Sequence, residues 1–184
     1  RMAHVIGGGS RRRNVYHLTE QGRLLFETLG EDHSKPRKSH SVGVSFGDFP
    51  QSGTIYGRSS LITDAQSMMN EQHCILLSGL PGIGKTTVAI AVGNEILSRG
   101  TNIRWATADE FSDFETLCSS MSIPLPLPSD IDALAEHLAL LYQDEIFIFD
   151  DIHMISERHL ASFLDVCQKM ESLQGPKMIF VGRE

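Results

Sequence analysis

The feature that most constrains this chain is a glycine-rich loop of eight residues near its middle. Residues 79–86 read Gly-Leu-Pro-Gly-Ile-Gly-Lys-Thr and match the pattern G-x-x-x-x-G-K-[ST] at every fixed position. A short and mainly apolar run, residues 73–77, precedes the loop, and a segment typical of a helix, residues 86–98, follows it. A strand, a glycine loop and a helix in this order predict a phosphate-binding loop in an α/β protein.

The chemistry of this loop indicates a nucleotide bound together with a metal ion. Glycines let backbone N–H groups approach a polyphosphate closely, and the positive end of the following helix faces the same place. Lys85 is expected to reach the β- and γ-phosphates, and Thr86 to offer its hydroxyl to Mg²⁺. ATP with Mg²⁺ is the predicted ligand, and the alternative is a glycine-rich turn with an incidental lysine. The candidate binding residues are Gly79, Leu80, Pro81, Gly82, Ile83, Gly84, Lys85, Thr86 and Thr87.

A second signal is a pair of acids that follows another apolar run. Residues 146–149 are all apolar, and Asp150 and Asp151 come directly after them. Ligands of open α/β folds bind at the carboxyl ends of parallel strands, where these acids would lie. We expect Asp150 to hold Mg²⁺ and Asp151 to polarise an attacking water, which makes Asp151 and Lys85 the candidate catalytic residues. The alternative is a solvent-facing acid pair that caps the next helix.

From residue 55 onward, helical and strand patterns alternate along the chain. Beyond the segments around the loop, the patterns predict helices at residues 60–70, 113–121, 131–142 and 158–173, and strands at 102–106, 146–149 and 177–181. Apolar strands separated by helices are typical of a parallel sheet covered on both faces. The predicted fold class is therefore α/β, a doubly wound parallel sheet.

These motifs resemble those of the STAND class of signal-transduction ATPases, relatives of the AAA ATPases. The resemblance implies a doubly wound P-loop fold that acts as a nucleotide-driven switch. Tyr56, Gly57 and Arg58 are similar to the class's Gly-Arg signature, which helps to seat adenine, and Ser59 stands where glutamate often follows.

The downstream motifs extend the same resemblance. Asp150 and Asp151 are similar to the class's Asp-Asp form of the magnesium-binding strand end, where AAA proteins usually have Asp-Glu. Arg183 follows a strand at the place of the class's γ-phosphate-sensing arginine, and the resemblance makes it a third candidate catalytic residue. The resemblance covers about residues 55–184 and implies a sheet that is incomplete at its C-terminal end.

The beginning of the chain resembles a different kind of domain. Residues 3–6 and 14–18 are expected to pair as a hairpin around a glycine turn, with a helix after it. Residues 11–22 look like the wing and last helix of MarR-type winged-helix DNA-binding domains. The resemblance implies that Arg11, Arg12 and Arg13 lie along a DNA backbone. The alternative is a surface hairpin with an exposed arginine cluster.

Charge is distributed unevenly over the three expected regions. The net charge is −7, yet residues 1–45 hold eight Lys and Arg against four Asp and Glu, while residues 46–184 hold eight against nineteen. A basic segment next to an acidic domain predicts different partners for the two. We expect a partial winged-helix domain at residues 1–30, a linker at residues 31–54 and a truncated P-loop ATPase domain at residues 55–184.

Other features narrow the class of protein. No run of 18 or more apolar residues occurs, and no signal peptide opens the sequence, so we expect no membrane partner. Cys74, Cys118 and Cys167 are too scattered for a sequence-readable zinc site or a disulfide framework, which fits a reducing cytoplasm. His153 and His159 have no third ligand nearby, so histidine-bound metal is not expected.

The sequence therefore predicts an ATP-dependent switch in transcription or signalling that hydrolyses ATP to ADP and phosphate. Its expected partners are ATP and ADP, DNA through the N-terminal piece, and other copies of itself in a nucleotide-dependent way. Two alternatives stay open, namely an origin-recognition-like AAA ATPase acting on DNA and a nucleotide-binding scaffold that does not hydrolyse.

Overall fold

The protein divides into two units, residues 1–39 and residues 40–184. The computed structural model describes residues 2–5, 13–16, 42–50 and 57–183. In the first unit, strand β1 (Met2–Val5) pairs antiparallel with strand β2 (Arg13–Tyr16), so that Val5 lies opposite Arg13. This pairing agrees with the expected hairpin strands. Arg11, Arg12 and the expected helix lie outside the described residues, so the winged-helix interpretation stays a prediction.

The second unit is built on a five-stranded parallel sheet. Its strands are β3 (Ser45–Gly47), β4 (Cys74–Leu77), β5 (Ile103–Thr107), β6 (Ile146–Asp150) and β7 (Lys177–Val181). The strand order across the sheet is β3-β5-β6-β7-β4, and every neighbouring pair is parallel. The predicted fold class, a doubly wound parallel sheet, is confirmed.

Helices cover both faces of this sheet. They are α1 (Ser59–Glu71), α2 (Lys85–Ser98), α3 (Phe114–Ser120), α4 (Ile131–Tyr142) and α5 (Glu157–Ser172). Side chains alternate along β6, so Ile148 packs with α1 and α2 while Phe147 and Phe149 pack with α3, α4 and α5. Two apolar layers therefore hold the sheet. No helix in the described part of the chain is long and apolar enough to cross a membrane.

Strand β3 corrects the expected linker, because it lies within residues 31–54 and yet belongs to the sheet. It pairs with β5 over three residues, too few to produce a visible strand pattern. Gly47 adopts a φ of +82°, and a Cβ there would lie 2.2 Å from the carbonyl oxygen of Trp105. Only glycine permits so close an approach. Phe49 then packs edge-on against Trp105, with ring centroids 5.5 Å apart.

A buried arginine, Arg104, contacts both β3 and other elements of the second unit. The Arg104 guanidinium lies 4.2 Å from the ring centre of Phe46 and 4.4 Å from that of Tyr142. Its Nε donates to Glu145 Oε2 at 2.5 Å, and its Nη1 donates to the Met121 carbonyl at 2.8 Å. A buried charge is tolerated when it is both paired and hydrogen-bonded. This side chain therefore joins the edge strand to elements that are distant in sequence.

Candidate nucleotide-binding site

The glycine loop lies between β4 and α2, as the motif predicts. Gly79, Gly82 and Gly84 have positive φ angles of +144°, +74° and +93°, which other residues rarely adopt. Gly84 is the N-cap of α2, and no side chain caps this helix start. The first amides of a helix need acceptors from outside the helix, so this end is suited to receive an anion.

Lys85 lies over the loop in the structure. Its Nζ donates to the carbonyl oxygen of Gly79 at 2.9 Å and to that of Leu80 at 3.0 Å. These two carbonyls are neutral acceptors, and the oxygens of a phosphate would be stronger ones because they carry charge. The ammonium is thus held against the loop backbone.

Thr86 and Asp150 meet although 64 residues separate them. The Thr86 hydroxyl donates to Asp150 Oδ1 at 3.2 Å, and the backbone amide of Asp151 donates to the same oxygen at 2.9 Å. Asp150 is only 4% exposed. A hydroxyl and a carboxylate side by side supply the oxygen ligands that Mg²⁺ prefers, so the residues present fit this ion.

The environment of Asp150 disfavours its charge. Burial raises the pKa of its carboxyl above the ordinary value, and the negative charge of Asp151 raises it further. The Thr86 hydroxyl, the Asp151 amide and the Lys85 ammonium act in the opposite direction. A bound cation would add to these stabilising contacts.

Asp151 differs sharply from its neighbour. Its side chain is 47% exposed, and its backbone adopts a left-handed conformation with φ of +54°. A short 3₁₀ turn, Ile152–Met154, follows directly. The chain therefore turns away from the sheet just after Asp150, leaving one carboxylate buried and the next accessible to water.

Arg58, expected from the resemblance to help seat adenine, has a definite contact in the structure. It precedes α1, and its Nη2 donates to the carbonyl oxygen of Ile83 at 2.8 Å. This bond ties the start of α1 to the phosphate loop. Gly57 next to it has a φ of +69°, and Tyr56 lies outside the described residues.

Arg183 follows the carboxyl end of β7, at the same end of the sheet as the loop, and no hydrogen bond joins the two among the described residues. It follows β7, whose Val181 is the partner of Leu77 at the end of β4. The amide of Gly182 donates to the carbonyl of Leu77 at 3.1 Å, and Arg183 itself is exposed. The structure thus joins Thr86 to Asp150 beside Lys85, with Arg183 just after the end of β7.

The sequence pattern does not predict a functional role for His153, because it only argues against metal binding by this residue. The 3₁₀ turn brings His153 Nδ1 to 3.8 Å from Asp151 Oδ1. No strand or helix pattern marks this short turn. The sequence therefore does not predict that His153 lies near the Asp151 carboxylate.

The family described as novel STAND NTPase 3 matches residues 56–172, more than half of the chain. The chain belongs to this family. The predicted resemblance to STAND proteins is therefore confirmed, and with it a P-loop NTPase. The matched range contains the loop and both acids, while residues 1–30 lie outside it.

Individual proteins are similar to this STAND NTPase at low identity. It is 28% identical over 160 residues to the Holliday junction branch migration complex subunit RuvB of Prochlorococcus marinus, covering 83% of this chain and 38% of that protein. Cdc6p from Pyrobaculum aerophilum has a TM-score of 0.51 and 19% identity, over 74% of this chain and 41% of that one. AMPPCP-bound DnaA from Aquifex aeolicus has a TM-score of 0.42 and 16% identity, over 72% and 40%. The chain spans less than half the length of each, and the likeness to Cdc6p shows a shared fold.

Proposed function

We propose that this STAND NTPase is a regulatory switch that binds ATP with Mg²⁺ and hydrolyses it to ADP and phosphate. The observation that carries the proposal is the bond from the Thr86 hydroxyl to the buried Asp150 carboxylate at 3.2 Å, beside Lys85. Ligands for a hard cation and donors for phosphate thus lie next to each other at the start of α2.

The loop residues would hold the phosphates. Lys85 would exchange its bonds to the Gly79 and Leu80 carbonyls for bonds to charged phosphate oxygens. Thr86 and Asp150 would hold Mg²⁺, which when bound neutralises charge on the phosphate oxygens. At the two sides of the site, the segment Tyr56, Gly57 and Arg58 would seat adenine and Arg183 would sense the terminal phosphate.

Asp151 would serve the hydrolysis itself. Its carboxylate is exposed enough to accept a hydrogen bond from water, and it directly follows the acid proposed to hold the metal. The water oxygen forms a bond to the terminal phosphorus of ATP, and the bond from that phosphorus to ADP breaks. The proton of the water leaves toward the Asp151 carboxylate.

The switch would be coupled to DNA through the N-terminal unit. We propose that residues 1–30 are part of a winged-helix domain and that Arg11, Arg12 and Arg13 contact the phosphate backbone. The excess of basic residues before residue 46 supports this assignment, as does the resemblance to MarR-type wings. Nucleotide-dependent self-association would then change how many N-terminal units can contact one DNA molecule together.

A lysine substitution tests the binding step. Lys85→Ala should lower ATP affinity about ten- to hundredfold, because a charge-assisted contact is worth roughly 1.5–3 kcal/mol. The measurement is calorimetric titration with ATP and Mg²⁺. The control is Lys177→Ala, which removes a lysine at the amino end of β7, away from the loop. Unchanged affinity in a folded Lys85→Ala protein would refute the nucleotide site.

An acid substitution tests the chemistry. Asp151→Asn in the full-length protein should leave ATP bound but reduce turnover by about 10²–10⁴-fold, the usual contribution of a general base. Phosphate release and nucleotide affinity are measured on the same samples. Equal rates in wild type and variant would remove Asp151 from the mechanism. Tight ATP binding without turnover in the wild type would favour the non-hydrolysing scaffold.

A second candidate is an AAA ATPase that acts directly on DNA. The 28% identity to RuvB, a subunit of a branch migration complex, favours it. The Asp-Asp pair at residues 150 and 151 argues for the switch, since AAA proteins usually have Asp-Glu there. The ATPase rate with branched, linear and no DNA separates the two. Strong stimulation by branched DNA would support the second candidate.

A further inference from the structure

The two acids of the site are held very differently. Asp150 Oδ1 accepts two hydrogen bonds, from the Thr86 hydroxyl and from the Asp151 amide. Among the described residues, no hydrogen bond reaches the Asp151 carboxylate. A group that polarises water must be oriented to within a small error, because misplacement of a catalytic group slows the reaction steeply. The proposed role of Asp151 therefore requires another group that orients its carboxylate.

His153 is placed to be that group. Its Nδ1 lies 3.8 Å from Asp151 Oδ1. Both of its ring nitrogens are buried and lack a hydrogen-bond partner within the described part of the chain. A buried polar atom without a partner costs free energy, so this imidazole has a strong tendency to form a bond. At 3.8 Å the two atoms are just beyond hydrogen-bond distance.

The backbone around the pair is fixed. The amide of Met154 donates to the Asp151 carbonyl at 2.8 Å, and the amide of Ile155 donates to that of Ile152 at 3.2 Å. On the other side, a Cβ at Gly182 would lie only 3.0 Å from Ile152 Cγ1, so the end of β7 packs against the turn. Rotation of the two side chains, rather than movement of the turn, would therefore close the gap between His153 and Asp151.

We infer that His153 is a positioning residue for Asp151: it donates from Nδ1 to one carboxylate oxygen and so directs the other oxygen toward the attacking water. This inference rests on the proposed hydrolytic role of Asp151. It assigns no contact of His153 with the nucleotide. Its effect is therefore expected on the rate of hydrolysis and not on the affinity for ATP.

The test compares two substitutions of His153 in the full-length protein. His153→Leu keeps the bulk of the ring but removes the donor, and should lower kcat about 10–100-fold, as loss of an orienting partner does at other sites. His153→Asn places an amide donor near the position of Nδ1 and should restore most of the rate. The KM for ATP should stay within about twofold of wild type in both, since uniform binding is untouched.

Coupling to Asp151 separates positioning from a general structural effect. In an Asp151→Asn background, His153→Leu should cause no further loss of single-turnover rate, because the group it orients is already gone. His159→Leu, which removes a half-buried histidine six residues away, serves as the matched control and should keep the wild-type rate. If His153→Leu does not fold, His153→Asn is compared with His153→Gln, whose donor lies near the position of Nε2, and the asparagine variant should be the faster.

The outcomes distinguish failure of the inference from failure of the proposed function. Wild-type turnover in Asp151→Asn would refute the hydrolytic role of Asp151. An impaired Asp151→Asn together with unimpaired His153→Leu would overturn only the role of His153. A rate loss from His153→Leu that persists undiminished in the Asp151→Asn background, or that His153→Asn does not relieve, would also overturn it.

Discussion

Asp150 and Asp151 show how two neighbouring residues of the same type acquire different properties. Asp150 ends a buried strand, so burial raises the pKa of its carboxyl above the ordinary value, while the Asp151 side chain is half exposed. Holding an ionised carboxylate in a buried place costs stability, which is a common feature of functional sites. Without a bound cation, the charged form of this carboxylate therefore lowers the stability of the fold.

This cost predicts that Asp150→Asn stabilises the protein when no Mg²⁺ is present. A raised folded-state pKa means that the favourable contribution of Asp150 is complete below its unfolded pKa and is lost as the pH rises through the folded pKa. At pH 7 the charge therefore opposes folding. Asparagine keeps the acceptor oxygen for Thr86 and the Asp151 amide without the charge. At pH 7, thermal unfolding should show that the free energy of unfolding rises by roughly 0.5–2 kcal/mol, the usual range for a stabilising substitution.

The pH dependence supplies the control for that prediction. The gain should shrink in acid, where the wild-type carboxyl is protonated as well. Mg²⁺ with ATP should stabilise the wild type more than the variant, since the variant keeps Thr86 and the phosphate loop but lacks the carboxylate ligand. Asp144→Asn, at an exposed carboxylate, should change stability by less than about 0.5 kcal/mol. Destabilisation by Asp150→Asn at pH 7 would contradict the argument.

At the residue scale, the sequence predicts the positions of those site residues that adjoin the glycine loop or a strand end in the chain. Lys85 and Thr86 come directly after Gly84, and Asp150 is the last residue of its strand, so their positions are fixed by local geometry. The bond from Arg58 to the Ile83 carbonyl joins residues 25 apart, and the approach of His153 to Asp151 depends on a 3₁₀ turn. Contacts of these kinds depend on tertiary packing and not on a local pattern.

At the scale of elements, periodicity predicts α4 and β7 at their observed bounds and the other main elements to within two residues. Long helices and apolar strands carry enough residues for their pattern to be visible. The side chains of Asp113 and Asp130 accept from backbone amides at the starts of α3 and α4, which sharpens those boundaries. β3 has three residues and a glycine that its packing requires, so it has no visible pattern.

The attachment of β3 predicts a role in stability for the segment around it. Phe49→Ala removes the contact with Trp105 and should destabilise the second unit by about 1–3 kcal/mol, as expected for a half-buried aromatic side chain. Val44→Ala, in the same segment but with an exposed side chain, is the matched control and should have little effect. Denaturant unfolding measures both. Equal and small effects would mean that this segment does not support the fold.

At the scale of the whole molecule, charge separates the two ends of the chain. The acidic residues lie mostly after residue 46, in the part that contains the sheet, while the basic excess precedes it. A phosphate backbone would be attracted to the first part and repelled by the second. This asymmetry supports the proposal that the N-terminal part of the chain contacts DNA while the part that contains the sheet binds nucleotide.

The hairpin arginines provide the test of that division. Side chains alternate across a strand, so Arg11 and Arg13 should share one face. In the full-length protein, Arg11→Ala/Arg13→Ala should weaken binding to specific and random DNA alike. It should also reduce the salt dependence of affinity by about 1.8, at roughly 0.9 per phosphate contact. Lys35→Ala/Arg37→Ala removes the same charge outside the hairpin and should change the slope less. Indistinguishable slopes for wild type and the hairpin variant would remove the support for the wing.

The place of β3 also decides where this domain can be cut for expression. The family match begins at residue 56, so a fragment designed from that match would start after β3. Such a fragment loses the strand that pairs with β5, together with the rings of Phe46 and Phe49 that cover Arg104 and Trp105. An unpaired, apolar strand edge promotes aggregation. A fragment that begins before Val42 keeps the sheet edge covered, and poor solubility of the shorter fragment would reflect the cut rather than the domain.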